Sequence, residues 1–116
     1  MKENPQMQTL IFELKRKSEQ EKVNIWKKVA SDLERPTRIR RIVNLSKISR
    51  YVGDDEIALV PGKVLGGGEL ENKVTVAAFS FSKQAMDKIK QKNGKAMLIS
   101  ELMKSNPKGN KVRIIG

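Results

Sequence analysis

Residues 56–81 read EIALVPGKVLGGGELENKVTVAAFSF, and the fold turns on how this stretch is parsed. Two apolar runs of strand character, Ile57 to Val60 and Lys73 to Phe81, flank a connector that holds Pro61, Gly62, Gly66, Gly67 and Gly68. In the second run Val74, Val76 and Ala78 alternate with Thr75, Ala77 and Phe79, so both faces are largely apolar. A strand patterned that way is expected to be covered on both sides. Three successive glycines are needed where the backbone enters positive φ, or where another backbone passes too close for a Cβ. The sequence leaves both reasons open.

Outward from this nucleus, size and charge set the bounds. A chain of 116 residues suits one domain burying roughly two-thirds of its unfolded surface. Residues 1–116 are read as a single domain, helical and basic over 1–53 and α/β over 54–116. With 24 Lys plus Arg against 13 Asp plus Glu, the net charge is +11, far beyond what solubility requires, and a polyanionic partner is expected. No apolar run approaches the roughly 20 residues that span a bilayer, and the basic helices lack strong apolar anchors, so nucleic acid is favoured over a membrane. The chain has neither cysteine nor histidine, which removes disulfides, thiolate chemistry and the commonest metal ligand and general base. The opening residues MKENP carry no apolar h-region, so an intracellular protein is expected.

Upstream of the nucleus, Asn4 and Pro5 mark a helix start, and Met7, Leu10, Ile11 and Leu14 form one apolar stripe in a helix expected to end near Ser18. Lys15, Arg16 and Lys17 then fall in its last turn, where they complement the helix dipole and can face phosphates. Asn24 is expected to cap a second helix with Trp26, Val29, Ala30 and Leu33 inward, stopped by Pro36. Trp26 could stack a base, but its spacing favours the core. The segment RPTRIRRIVNLSKISR, residues 35–50, holds Arg35, Arg38, Arg40, Arg41, Lys47 and Arg50 with no acidic residue. Arginine outnumbers lysine there, and its planar fork suits phosphate, so this segment is read as the principal phosphate-binding element. Asn44 is expected to cap a third helix with Leu45, Ile48 and Val52 inward and Gly53 as its C-cap, so that the arginines sit in a loop pinned at both ends. Asp54, Asp55 and Glu56 read as an acidic turn rather than a metal site.

Downstream, Ser82 is expected to cap a fourth helix with Ala85, Met86 and Ile89 inward, ended by Asn93 and Gly94. Its lysines, Lys83, Lys88, Lys90, Lys92 and Lys95, read as a solvated face or a second, weaker phosphate-facing one. Ala96 to Ile99 reads as a strand, Ser100 as the cap of a helix over Glu101 to Ser105, Lys108 to Asn110 as a turn, and Val112 to Ile115 as an edge strand with Lys111 and Arg113 outward. The fold class is therefore α/β, a helical N-terminal third followed by alternating strands and helices.

Catalysis finds no support in these residues. Lys63 follows Gly62 but leads into Val64 and Leu65 rather than the Ser or Thr and helix of a nucleotide-binding loop. Lys63 can still meet a phosphate, while Gly62, Gly66, Gly67 and Gly68 are assigned to backbone packing. The serines have no histidine partner, and Glu69 and Glu71 lack the cleft a glycosidase pair needs. No cofactor, metal or small-molecule substrate is expected.

The run Val60-Pro61-Gly62-Lys63-Val64-Leu65-Gly66, then Gly68-Glu69-Leu70, Val74-Thr75-Val76-Ala77-Ala78, Phe81-Ser82 and Ala85, closely resembles the signature of large-subunit ribosomal protein eighteen-e of archaea and eukaryotes, a relative of large-subunit protein fifteen. The likeness extends through Trp26, Val29 and Leu33, Val43-Asn44-Leu45, Arg50-Tyr51, Asn106-Pro107 and Val112-Arg113-Ile114, and so covers essentially the whole chain. It implies an irregular strand-strand-helix winding and a cytoplasmic, non-catalytic ribosomal protein. Its expected partners are large-subunit rRNA and neighbouring large-subunit proteins, with no membrane. Eukaryotic members tend to be longer, so the chain looks archaeal. The alternative, resting on charge alone, is a free basic module that compacts DNA or chaperones RNA.

Overall fold

A computed structural model describes residues 5–35, 41–53 and 55–116, with Arg41 described for its backbone alone. Ten elements follow in order: α1 (Pro5–Glu21), α2 (Ile25–Leu33), β1 (Arg41–Asn44), α3 (Leu45–Tyr51), β2 (Ile57–Leu65), β3 (Thr75–Phe81), α4 (Lys83–Gln91), β4 (Lys95–Leu98), α5 (Ile99–Ser105) and β5 (Val112–Ile114).

The five strands form one sheet in which every described pairing is parallel, in the order β1-β2-β3-β4 with β5 also on β2. β2 is its axis. Along one edge it pairs with β3 from Ile57 to Val64, while β5 takes Ile57 to Leu59 and β1 takes Gly62 to Leu65. Pro61 therefore falls in the gap between β5 and β1, where the β2–β3 register also slips between Val60 and Lys63. A proline has no N–H to give a ladder, and this is the place where none is needed. Pro61 and Gly62 thus belong to the strand, both buried, and not to the connector expected from sequence.

Alternation in β2 and β3 builds two cores. Ala58, Val60, Val76 and Ala78 pack with Leu45 and Ile48 of α3 and Ala85 and Ile89 of α4 on one face. Leu59 and Ala77 pack with Met7 and Leu14 of α1, Trp26, Val29, Ala30 and Leu33 of α2, and Ile99, Leu102 and Met103 of α5 on the other. The expected double covering of β3 is what the chain adopts. Trp26 is fully buried, and its indole N–H donates to the Pro107 carbonyl at 2.8 Å, so it serves the core and not a base.

Several local expectations are corrected. α1 runs three residues past Ser18 because good helix formers follow and because Lys108, distant in sequence, donates to the Glu21 carbonyl at 3.1 Å. Lys15, Arg16 and Lys17 consequently sit inside the helix rather than in its last turn. Asn24 and Asn44 precede α2 and α3, yet neither side chain makes a cap hydrogen bond. α3 ends in extended Val52, and Gly53 has no positive φ; its N–H donates instead to Glu56 Oε1 at 2.7 Å. α5 begins at Ile99, because Glu101 Oε1 accepts from the Leu98 N–H at 2.9 Å and fixes the entry two residues early. β1 is not expected from the sequence: it rests on Ile42 and Val43, two β-branched residues amid arginines, of which Val43 is buried and Ile42 is 66% exposed.

Ser82 does cap α4, its Oγ accepting from the Ala85 N–H at 3.1 Å. Asn4, Pro36 and Asp54 lie outside the described residues.

Candidate nucleic-acid interface

The sheet divides the cations named from sequence. Lys47 and Arg50 are exposed on α3, on the face that also carries α4. Lys15, Arg16 and Lys17 lie on α1, in the opposite layer. Lys63 is exposed on β2 at its carboxyl end, in register with Ile42 of β1 and Ser80 of β3. Arg35 is exposed just beyond α2, its N–H on the Asp32 carbonyl at 3.3 Å. Arg38, Arg40 and the Arg41 side chain lie outside the described residues, and the Arg41 backbone pairs in register with Gly62.

Charge is unequal between the layers. α3 and α4 together carry Lys47, Arg50, Lys83, Lys88 and Lys90 against Asp87, five cations to one carboxylate, a net +4. α1, α2 and α5 carry six cations, Lys15, Arg16, Lys17, Lys27, Lys28 and Lys104, against five carboxylates, Glu13, Glu19, Glu21, Asp32 and Glu101, a net +1. Two of those six are engaged locally: Lys15 Nζ lies 3.0 Å from Glu34 Oε2, and Lys17 Nζ 3.7 Å from Glu21 Oε2. The α3–α4 layer is therefore the more attractive to a polyanion.

Between α3 and α4 lies the glycine segment, and it is tightly held. The Gly67 N–H donates to Asn44 Oδ1 at 3.0 Å, the Ser46 N–H to the Gly67 carbonyl at 3.1 Å, and the Glu71 N–H to Ser49 Oγ at 3.2 Å. From the other side Lys88 Nζ donates to the carbonyls of Gly66 and Gly68, each at 2.8 Å, and stands 3.8 Å from Glu69 Oε1. Sequence reasoning left Lys88 among the solvated or phosphate-facing lysines and missed Asn44, Ser46 and Ser49 as loop partners. These contacts join residues about 20 positions apart, and no local pattern announces them.

Of the four glycines assigned to packing, Gly66, Gly67 and Gly68 have close neighbours. A Cβ on Gly66 would lie 2.6 Å from Gln84 Cγ, and one on Gly67 would lie 2.4 Å from Asn44 Oδ1. Gly68 combines φ of 80° with a Cβ position 2.4 Å from Ser46 Cβ. Positive φ applies at Gly68 alone, and the nearest neighbours are the side chains of Asn44, Ser46 and Gln84 rather than another backbone.

The acidic turn is used for structure: Asp55 meets Lys111 at 3.3 Å, and Glu56 stands 4.0 Å from Arg113. Lys47 Nζ donates weakly to the Gly116 main-chain oxygen at 3.4 Å. Among the described residues no group of three Asp or Glu could hold a metal ion, and no helix is long and apolar enough to cross a membrane.

Comparison with known proteins agrees with this architecture. Residues 6–97 match the family model that describes ribosomal proteins 50S-L15 and 50S-L18e together with the 60S protein twenty-seven-A. The chain is 48% identical to large ribosomal subunit protein eL18 of Methanothermobacter thermautotrophicus over 114 residues, covering 98% of this chain and 94% of that protein. It is 49% identical to eL18 of Methanococcus maripaludis over 115 residues, with coverage of 99% and 96%, and 46% identical to eL18 of Methanoregula boonei, with coverage of 98% and 94%.

Proposed function

The chain belongs to the family of ribosomal proteins that unites 50S-L15, 50S-L18e and the 60S protein twenty-seven-A, and on that premise we propose that it binds large-subunit rRNA through its basic N-terminal part and steadies the folded RNA. It has a structural role in the large ribosomal subunit and is not an enzyme. It is archaeal in type and works in the cytoplasm, within the ribosome, beside neighbouring large-subunit proteins.

The observation that carries the RNA reading is the concentration of charge, +11 overall, with the acid-free run Arg35–Arg50 leading into the α3–α4 layer. Arg35, Arg38, Arg40, Arg41, Lys47, Arg50 and Lys63 are the proposed phosphate contacts, with Lys15, Arg16 and Lys17 as a lesser set on the opposite layer. Gly66, Gly67 and Gly68 shape the backbone that separates α3 from α4, Gly62 lies within β2, and none of the four is proposed as a phosphate contact. Folded RNA is met chiefly through shape and phosphates, which suits a surface of cations on a rigid scaffold.

Co-sedimentation tests the reading against a free basic module that compacts DNA or chaperones RNA. A ribosomal constituent travels with large subunits at stoichiometric level and stays bound through moderate salt. A free module washes off.

A further inference from the structure

The connections after β3 and β4 depart to opposite sides of the sheet. β3 leads into α4, which packs with α3, whereas β4 leads into α5, which packs with α1 and α2. β3 and β4 are neighbours. In an open parallel sheet the carboxyl ends of two such strands leave a crevice between the departing chains, and ligands bind in crevices of this kind.

A cavity of about 600 Å³ lies there, walled by Phe79 and Ser80 at the end of β3, Leu98 and Ser100 where β4 passes into α5, and Thr9 and Glu13 on α1. Its size is within the usual range for sites that hold small organic groups. Phe79 is half-buried, and Leu98 is 47% exposed at the mouth, giving apolar walls. The hydroxyls of Thr9, Ser80 and Ser100 can each donate or accept. Among the described residues Glu13 is the one ionisable side chain in the lining, and its carboxylate disfavours an anion inside while accepting from an exocyclic amine. Immediately beside the lining, Lys63 is exposed and in register with Ser80. The arrangement therefore selects a neutral, flat group with a hydrogen-bonding edge for the interior and an anion for the rim.

We propose that this crevice receives the base of one unpaired nucleotide of the RNA, with the Lys63 ammonium meeting its phosphate. The proposal rests on the rRNA-binding reading above and adds to it a base-reading site on the side of the sheet away from the α3–α4 surface.

The test is photo-cross-linking in assembled large subunits that carry the full chain with p-benzoylphenylalanine at the exposed Leu98 position. The expected result is a cross-link to a single unpaired nucleotide. Thr9→Trp, which fills the crevice from the surface of α1, is expected to lower the yield about tenfold, in keeping with the loss of one base-stacking contact. Lys63→Ala is expected to lower it severalfold, while Thr9→Trp, which touches none of the proposed phosphate contacts, keeps co-sedimentation. A cross-link to a neighbouring protein, to the chain's own amino-terminal residues or to a base-paired nucleotide would overturn the proposal. So would photolabelling of the isolated chain at the same crevice by 8-azido-AMP, which would mark it as a site for free nucleotides. If the unaltered chain does not travel with large subunits, the rRNA reading falls and this proposal with it. If it does travel and Leu98 reaches no unpaired nucleotide, this proposal alone is lost.

Discussion

Gly66 and Gly68 are hemmed in by different neighbours, and the difference predicts how each tolerates a methyl group. At Gly68 an alanine must hold φ near 80° and also displace Ser46 Cβ, which is fixed at the start of α3. At Gly66 φ is not positive, and the obstruction is Gln84, whose Cγ and Oε1 can rotate away while its Cβ, 2.9 Å off and fixed on α4, must give by a few tenths of an ångström. Gly68→Ala should therefore lose more than about 1 kcal/mol of stability and Gly66→Ala distinctly less, as read from urea denaturation. Equal losses would mean that Gln84 is held as firmly as Ser46. Trp26→Phe keeps most of the buried ring but strands the Pro107 carbonyl, so about 1–3 kcal/mol should go. Lys88→Met should loosen the glycine segment, seen as faster amide exchange at Gly66–Glu71, because two carbonyls lose their shared donor.

For α3 and α4 the issue is what their shared layer does for binding. Lys83→Ala with Lys90→Ala on α4 should lower the salt slope of RNA affinity by up to about two units, whereas Lys27→Ala with Lys28→Ala on α2 should leave it nearly unchanged. Equal effects from both pairs would mean that α2 faces RNA phosphates as closely as α4 does. Alanine at Arg38, Arg40 or Arg41 should each remove roughly one unit of slope. Affinity that falls at constant slope would instead assign those side chains to base reading or to the fold. The exposed Lys15–Glu34 pair should contribute at most about 1 kcal/mol, since solvent screens it.

Taken whole, the chain should unfold as one unit, since β2 and β3 contribute to both cores. Trp26 fluorescence reports the α1–α2–α5 core, while far-UV circular dichroism reports all helices. Coincident urea transitions are expected, and separate ones would mean that the α1–α2–α5 core can be lost without the α3–α4 core. The sequence made the helices and β3 legible because their periodicity is local: Met7 to Leu14, Trp26 to Leu33, and the two-faced run from Val74 to Phe79. It hid the continuation of β2 through Pro61, because only the placement of β5 and β1 on either side of that residue makes a proline harmless. It likewise hid Lys88, whose role depends on carbonyls some 20 residues away rather than on its neighbours in α4. The sharing of β2's edge also bears on biosynthesis. Ile57 and Leu59 bond through their main chains to Lys111 and Ile115, nearly half the chain further on. A nascent chain thus emerges with one edge of the first three residues of its central strand bare, and that edge stays bare until residues 111–115 clear the exit tunnel.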